Sequence, residues 1–255
     1  MALDNLRDFL GALDARGELA RVAHPVSVDK QMTEVADRCM KARGGGPALL
    51  FERPTLKSGA PARYPVAVNL FGSEKRMALA LGVECLDEIG ERIATLLNVR
   101  VPGSLLGKLA MLPQLAEVAK FPPKAIGGKP PCQELVIREQ DVDLAQFPVP
   151  VCWPEDGGPY ITLPGVITRD PTTGVRNVGM YRIQVIGPRE LAMHWQRHKV
   201  GAAHWRAMAE RGEKMPVAIA LGGDPASIYA ASAPLPPTID EFLFAGFLRD
   251  RKSVV

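Results

Sequence analysis

The sequence predicts an α/β region followed by a mainly antiparallel, barrel-like sheet. Helical and strand-like patterns alternate through the first third of the chain. Beyond it, strand candidates follow one another with turn residues between them, and "DPTTG" (170–174) is a strong hairpin signal. The 23 prolines and 24 glycines suit short strands and many turns in the second half. The best linker candidate is "KFPPKAIGGKPP", which puts a domain boundary near Pro122 and divides the chain into residues 1–122 and 123–255.

Asp4 or Asn5 can cap a helix over 4–16 whose Leu6, Phe9, Leu10 and Leu13 recur at helical spacing, with Gly17 ending it. "LARVAHPV" is extended. From Asp29, the positions Met32, Val35, Ala36, Cys39 and Met40 mark one face of a second helix, stopped by Gly44, Gly45 and Gly46. "PALLFE" and "YPVAVNLFG" read as buried strands, and "SEKRMALALG" and "CLDEIGERIATLLN" as helices, the latter with Leu86, Ile89, Ile93 and Leu97 on one side. Residues 100–131 hold short helical pieces broken by proline and glycine. The strand candidates that follow are "CQELVIRE", "ITLPGVITRD", "NVGMYRIQVIG", "ELAMHWQ" and "MPVAIALGG", the last a buried strand ending in a tight Gly222-Gly223-Asp224 turn. Helices fit "AAHWRAMAERGE" and "PPTIDEFLFAGFLR". The closing "RDRKSVV" reads as the start of another strand, so the chain is expected to be the N-terminal portion of something longer.

Bulk properties narrow the function. An apolar fraction of 47% and a charged fraction of 23% fit a soluble globular protein. The net charge of +3 comes from interspersed acids and bases, with no basic stripe to suggest nucleic acid. Apolar stretches stop short of a membrane span and "MALDNLRDFL" is no signal peptide, so a cytoplasmic location is expected. The cysteines (Cys39, Cys85, Cys132, Cys152) lie far apart without a CxxC pair, which argues against a zinc ribbon or disulfide framework, and Cys39 reads as a buried thiol.

Polar residues in the second region point to chemistry. Asn177 and Arg182 sit in one apolar run, and five positions of perfect alternation would face them to opposite sides. A bulge at Gly179 would bring them to one face. Arg182 reads either as an edge residue snorkelling to water or as a planar fork for a carboxylate or phosphate. His194 and His198 have the spacing of a helical metal pair, but in a strand and turn context that signal is weak, and a structural or surface histidine is the favoured reading. Glu241 fits the N3 position of a "TIDE" capping box begun by Thr238. Taken together, an amide oxygen, an imidazole and a carboxylate beside an arginine suit a hard divalent ion bridging to phosphate better than zinc.

"NVGMYRIQVIG", "MHWQRHKVGAAH" and "MPVAIALGGDPASIYAASAPLPPTIDEFLFAGFLR" together resemble the UbiD family of prenylated-FMN-dependent decarboxylases. These include polyprenyl-hydroxybenzoate carboxy-lyases of ubiquinone synthesis and ferulic acid decarboxylases. The resemblance implies a split β-barrel flavin domain, cut short here at its C-terminal end. It implies non-oxidative, reversible decarboxylation of an aromatic or α,β-unsaturated carboxylic acid such as 3-polyprenyl-4-hydroxybenzoate. By position, Asn177, His198 and Glu241 match metal ligands, usually for Mn2+, with Mg2+ the alternative; K+ accompanies the ion in some members. Arg182 matches the arginine that contacts flavin and substrate carboxylate. Met180, Tyr181, His194, Trp195, Gln196, Lys199 and Val200 fall where the family wraps its cofactor.

The implied partners are the acid substrate, a flavin prenyltransferase that supplies the cofactor, and further copies of the full-length chain in a homo-oligomer. Peripheral membrane association would follow if the substrate is lipid-tailed. The family's proton-transferring carboxylate lies after Val255 in sequence, so this chain alone is expected to bind cofactor without turnover. A flavin oxidoreductase using ordinary FMN, and a non-catalytic subunit or fragment, are the alternatives.

Overall fold

The computed structural model describes residues 3–97, 121–125, 127–236 and 239–249. The first region contains helices α1 (Leu6–Ala15), α2 (Gln31–Met40), α3 (Glu74–Leu81) and α4 (Asp87–Leu97). Its strands are β1 (Leu19–Val22), β2 (Val26–Ser27), β3 (Ala48–Phe51), β4 (Pro54–Thr55) and β5 (Val66–Val68). Capping explains two of the helix starts: the Asn5 side chain accepts from the Asp8 amide, and Ser73 from that of Arg76. Strand β3 is central, parallel to β1 and antiparallel to β5. All four of its residues are buried because it is covered on both faces. Ala48 and Leu50 meet Phe9 and Leu13 of α1, while Leu49 and Phe51 meet Met32 of α2. The apolar face of α2 is narrower than its sequence suggests. Val35 and Met40 are solvent-exposed, leaving Met32, Ala36 and a half-buried Cys39, whose thiol donates to the Pro47 carbonyl at 3.3 Å.

The second region contains β6 (Tyr160–Ile161), β7 (Pro164–Arg169), β8 (Arg176–Met180), β9 (Ile183–Gly187), β10 (Glu190–Met193) and β11 (Ala218–Leu221). Its helices are α5 (Val200–Glu210), α6 (Pro225–Ala230) and α7 (Glu241–Leu248). Two antiparallel three-stranded sheets form, ordered β10-β9-β6 and β11-β7-β8, and neither closes into a barrel. The "DPTTG" hairpin joins β7 to β8. Asp170 accepts from the amides of Thr172 and Thr173, which holds its carboxyl below the usual range, and Gly174 takes φ +72°.

Three strand expectations fail. "CQELVIRE" forms short 3-10 turns at Pro131–Gln133 and Glu139–Asp141, with Leu135, Val136 and Ile137 exposed; no strand among the described residues pairs with it. "NVGMYRIQVIG" is two strands in different sheets, broken at Tyr181 and Arg182. β11 is exposed rather than buried, because only β7 pairs with it. The Gly222–Asp224 turn also does more than reverse the chain: Asp224 caps α6 through the amides of Ala226 and Ser227. "RDRKSVV" beyond Arg249, Leu97 as a side chain, and the helical pieces over 100–120 lie outside the described residues.

The two regions share a core. Leu81 and Ile89 pack with Ala226, Ala230, Ala245 and Leu248. A parallel bridge pairs Asp29 with Val151, closed by the Lys30 amide to the Val151 carbonyl at 2.9 Å and the Val151 amide to the Val28 carbonyl at 3.0 Å. No helix among the described residues is long and apolar enough to cross a membrane.

Candidate functional site

The break after Met180 organises the site. Register between β7 and β8 runs unshifted through Gly179, so there is no bulge, and Asn177 pairs opposite Thr168. The chain instead leaves the sheet at Tyr181, whose ring folds back over Gly179. A Cβ there would overlap the ring, which is why glycine is needed. The same ring lies against Gly201, where a Cβ would sit 3.2 Å from Tyr181 and 2.9 Å from the Trp195 indole nitrogen. Tyr181 is thus a buried wall. Its hydroxyl accepts from the Gly201 amide at 3.3 Å and from Asn177 Nδ2 at 3.5 Å. With Nδ2 committed, the Asn177 atom left to accept is Oδ1.

On one side of this wall lies a cleft of about 440 Å3, within the size range of small-molecule sites. Asn177, His198 and Glu241 all line it. So do Met180, Tyr181, Lys199 and Val200, together with Arg176 and the segment 231–236. Helix α5 begins at this cleft. Its cap residue, Lys199, makes no side-chain capping bond, and its first turn holds no acid. The Gly201 amide is taken by the Tyr181 hydroxyl, but the other first-turn amides and the helix dipole there favour an anion.

Glu241 does not sit in a capping box. Asp240 is the cap, accepting from the Phe242 amide at 2.8 Å and that of Leu243 at 3.4 Å, and Glu241 is the first helical residue. Thr238, the expected cap, lies outside the described residues. Glu241 is buried, and its Oε2 accepts from the Val178 amide of β8 at 2.8 Å. Burial pushes its carboxyl above the ordinary range, the Val178 amide and its own backbone amide pull it back, Asp240 raises it, and Arg176 lowers it. Arg176 in turn clamps Asp240, with Nε and Nη2 donating to Oδ2 at 3.0 and 2.6 Å, and lies 4.6 Å over the Phe242 ring.

Arg182 is not part of this cleft, nor are His194, Trp195 and Gln196. It is exposed just before β9, with its guanidinium 4.5 Å over the Tyr160 ring and Nη2 3.4 Å from His194 Nδ1. His194 meets the same Tyr160 ring edge-on at 5.7 Å, and Tyr160 donates to Gln184 Oε1 at 3.2 Å. Trp195 backs the wall, edge-on to Tyr181 at 6.1 Å. The histidines of "MHWQRH" therefore serve different surroundings, His198 on the cleft and His194 on the Arg182 face. Tyr160 and Arg176 escaped sequence reading. Arg176, a charge immediately before Asn177, was a visible signal; Tyr160 acts through a contact 22 residues away and gave none.

Chemically, the cleft sets an amide oxygen, an imidazole and one carboxylate beside an anion-favouring helix end. Oxygen donors with one nitrogen suit a hard divalent ion. Among the described residues no group of three or more His, Cys, Asp or Glu could hold a metal, so a cation here would need Asn177 and ligand oxygens as well.

Comparison with known proteins agrees with this architecture. Residues 10–93 match the family model of the 3-octaprenyl-4-hydroxybenzoate carboxy-lyase N-terminal domain, and residues 124–255 that of the carboxy-lyase Rift-related domain. A protein of Archaeoglobus fulgidus is 51% identical over 253 residues, covering 99% of this chain and 50% of the relative. HmfF from Pelotomaculum thermopropionicum, a UbiD-class enzyme solved in complex with FMN, superposes with a TM-score of 0.78 at 27% identity, over 98% of this chain and 49% of that one. An evolved dimeric form of HmfF was solved with prFMN. Vanillic acid decarboxylase of Sedimentibacter hydroxybenzoicus, in its closed form, gives a TM-score of 0.79 at 26% identity, with 98% and 49% covered. The chain spans about half the length of the curated relatives it matches. Both family models, in order, place it: the chain belongs to the UbiD family of carboxy-lyases.

Proposed function

We propose that this chain carries the phosphate and metal end of a prenylated-FMN site in a reversible, non-oxidative carboxy-lyase acting on an aromatic or α,β-unsaturated acid. Polyprenyl-hydroxybenzoate is the substrate that the family models' description suggests. The observation that carries this reading is the convergence of Asn177, His198 and Glu241 on one cleft at the uncapped start of α5. Asn177 Oδ1, the His198 imidazole and the Glu241 carboxylate would hold Mn2+ or Mg2+. Lys199 and the start of α5 would face the flavin phosphate. When bound, the modified flavin supplies an electron sink for the pair left as carbon dioxide departs. The exposed Arg182 fork, steadied from below by Tyr160 and from the side by His194, would orient the substrate carboxylate and neutralise its charge. The two open sheets would then be parts of a split β-barrel.

The test is direct. The purified chain is titrated with FMN and Mn2+, and assayed for carbon dioxide release from hydroxybenzoates and cinnamates after loading with prenylated FMN. Mn2+-dependent flavin binding that is lost in Asn177→Ala and His198→Ala supports the reading. Flavin binding unaffected by Mn2+ and by both variants refutes it.

A further inference from the structure

Arg176 has a role in this cleft that the family resemblance does not supply. Arg176 is among the residues lining the cleft, and its side chain is only 16% exposed. Two of its three nitrogens, Nε and Nη2, are spent on one oxygen of Asp240, and the Phe242 ring supports the guanidinium face. That leaves Nη1 with no hydrogen-bond partner among the described residues. A bare link between β8 and α7 would need only the edge that Asp240 already takes. The cleft also holds Lys199, His198 and the start of α5, which suit negative charge, beside the Glu241 carboxylate, which a cation would have to neutralise.

Resting on the flavin reading above, we propose that Arg176 is a phosphate-binding residue, its guanidinium locked by Asp240 and Phe242 so that Nη1 donates to the phosphomonoester of the flavin. The rigid fork matters. Arginine can hold Asp240 along one edge and still offer a donor along another, which lysine, a point charge on a flexible stem, cannot do. A pre-set donor loses little side-chain freedom on binding. Asp240 offsets part of the positive charge, so the contribution is directional: it discriminates a phosphorylated flavin from its alcohol more than it draws in anions generally.

The experiment compares FMN with riboflavin by fluorescence titration in the presence of Mn2+, using the whole chain and its Arg176→Gln and Arg176→Lys variants. A hydrogen bond to a charged group predicts that Arg176→Gln weakens FMN by about ten- to a hundredfold while riboflavin is unchanged. Arg176→Lys should fold like the parent and still lose about half of that preference on a logarithmic scale, which keeps the test valid if the glutamine variant is unstable. Equal losses for FMN and riboflavin, or no loss for either, overturn the proposal and leave Arg176 as a strut. A parallel titration with inorganic phosphate, followed by 31P line width, separates the two readings. Phosphate bound by the parent and lost in the variants, without any flavin binding, keeps the anion site and sinks the flavin assignment. No phosphate and no flavin bound by the parent sinks both.

Discussion

Replacing Glu241 with glutamine should separate folding from cation binding. The glutamine amide oxygen can take over the Val178 amide bond, 2.8 Å long in the parent, so no buried donor is orphaned. Burial disfavours the ionised form of Glu241, and Asp240 beside it adds a like charge. Removing that charge relieves both, so the change in stability should fall between neutral and about 1 kcal/mol stabilising. Glu241→Ala instead strands the Val178 amide and empties a buried side chain's volume, costing about 2–4 kcal/mol. Cation binding should respond differently: both variants lose the one carboxylate of the donor set, and Mn2+ affinity should fall at least about tenfold in each. Urea denaturation and Mn2+ titration by electron paramagnetic resonance measure the two quantities. Glutamine costing more than about 2 kcal/mol, or leaving Mn2+ affinity intact, would refute the reasoning.

Burial raises the Glu241 carboxyl, so in the cation-free chain its contribution to stability is present at low pH and lost as pH rises through the raised value. A bound cation must displace that proton, so Mn2+ affinity should climb with pH over the same window and flatten above it, as pH-resolved titration would show. Gly179→Ala places a methyl group in the Tyr181 ring, and overpacking should cost about 1–3 kcal/mol in denaturant unfolding. Because Tyr181 positions Asn177, flavin and Mn2+ binding should weaken with it. Arg182→Ala touches an exposed side chain outside the cleft, so stability should stay within about 0.5 kcal/mol and FMN affinity near that of the parent. Affinity for an aromatic carboxylate in the flavin-loaded protein should fall, which calorimetry would detect.

What the sequence disclosed were features decided by near neighbours along the chain. Asn5 starting α1, the Asp170 turn and the four buried residues of β3 follow from capping, turn chemistry and a run of apolar side chains. The three cleft-lining polar residues were nominated by type and order. What escaped was non-local. The strand break at Tyr181 depends on a ring lying over Gly179 and Gly201, and no alternation pattern registers that. Asp240 caps α7 with its carboxylate also held by Arg176, 64 residues away, a contact that no local pattern registers. "CQELVIRE" has strand composition, but pairing is a property of two segments and composition reports one.

The common core joining α7 to the first region has a consequence for how the site is held up. Glu241 stands at one end of α7, and the opposite end packs among Ala226 and Ala230 of α6 and Leu81 and Ile89 of the first region, with Arg92 donating to the Leu248 carbonyl at 3.1 Å. The acid therefore stands on a helix braced by Ala226 and Ala230 of α6 as well as by the first region. Cutting the chain at residue 122 would keep every cleft-lining side chain and α6, yet it would bare the face of α7 that Leu81, Ile89 and Arg92 cover and so loosen the support beneath the Glu241 carboxylate.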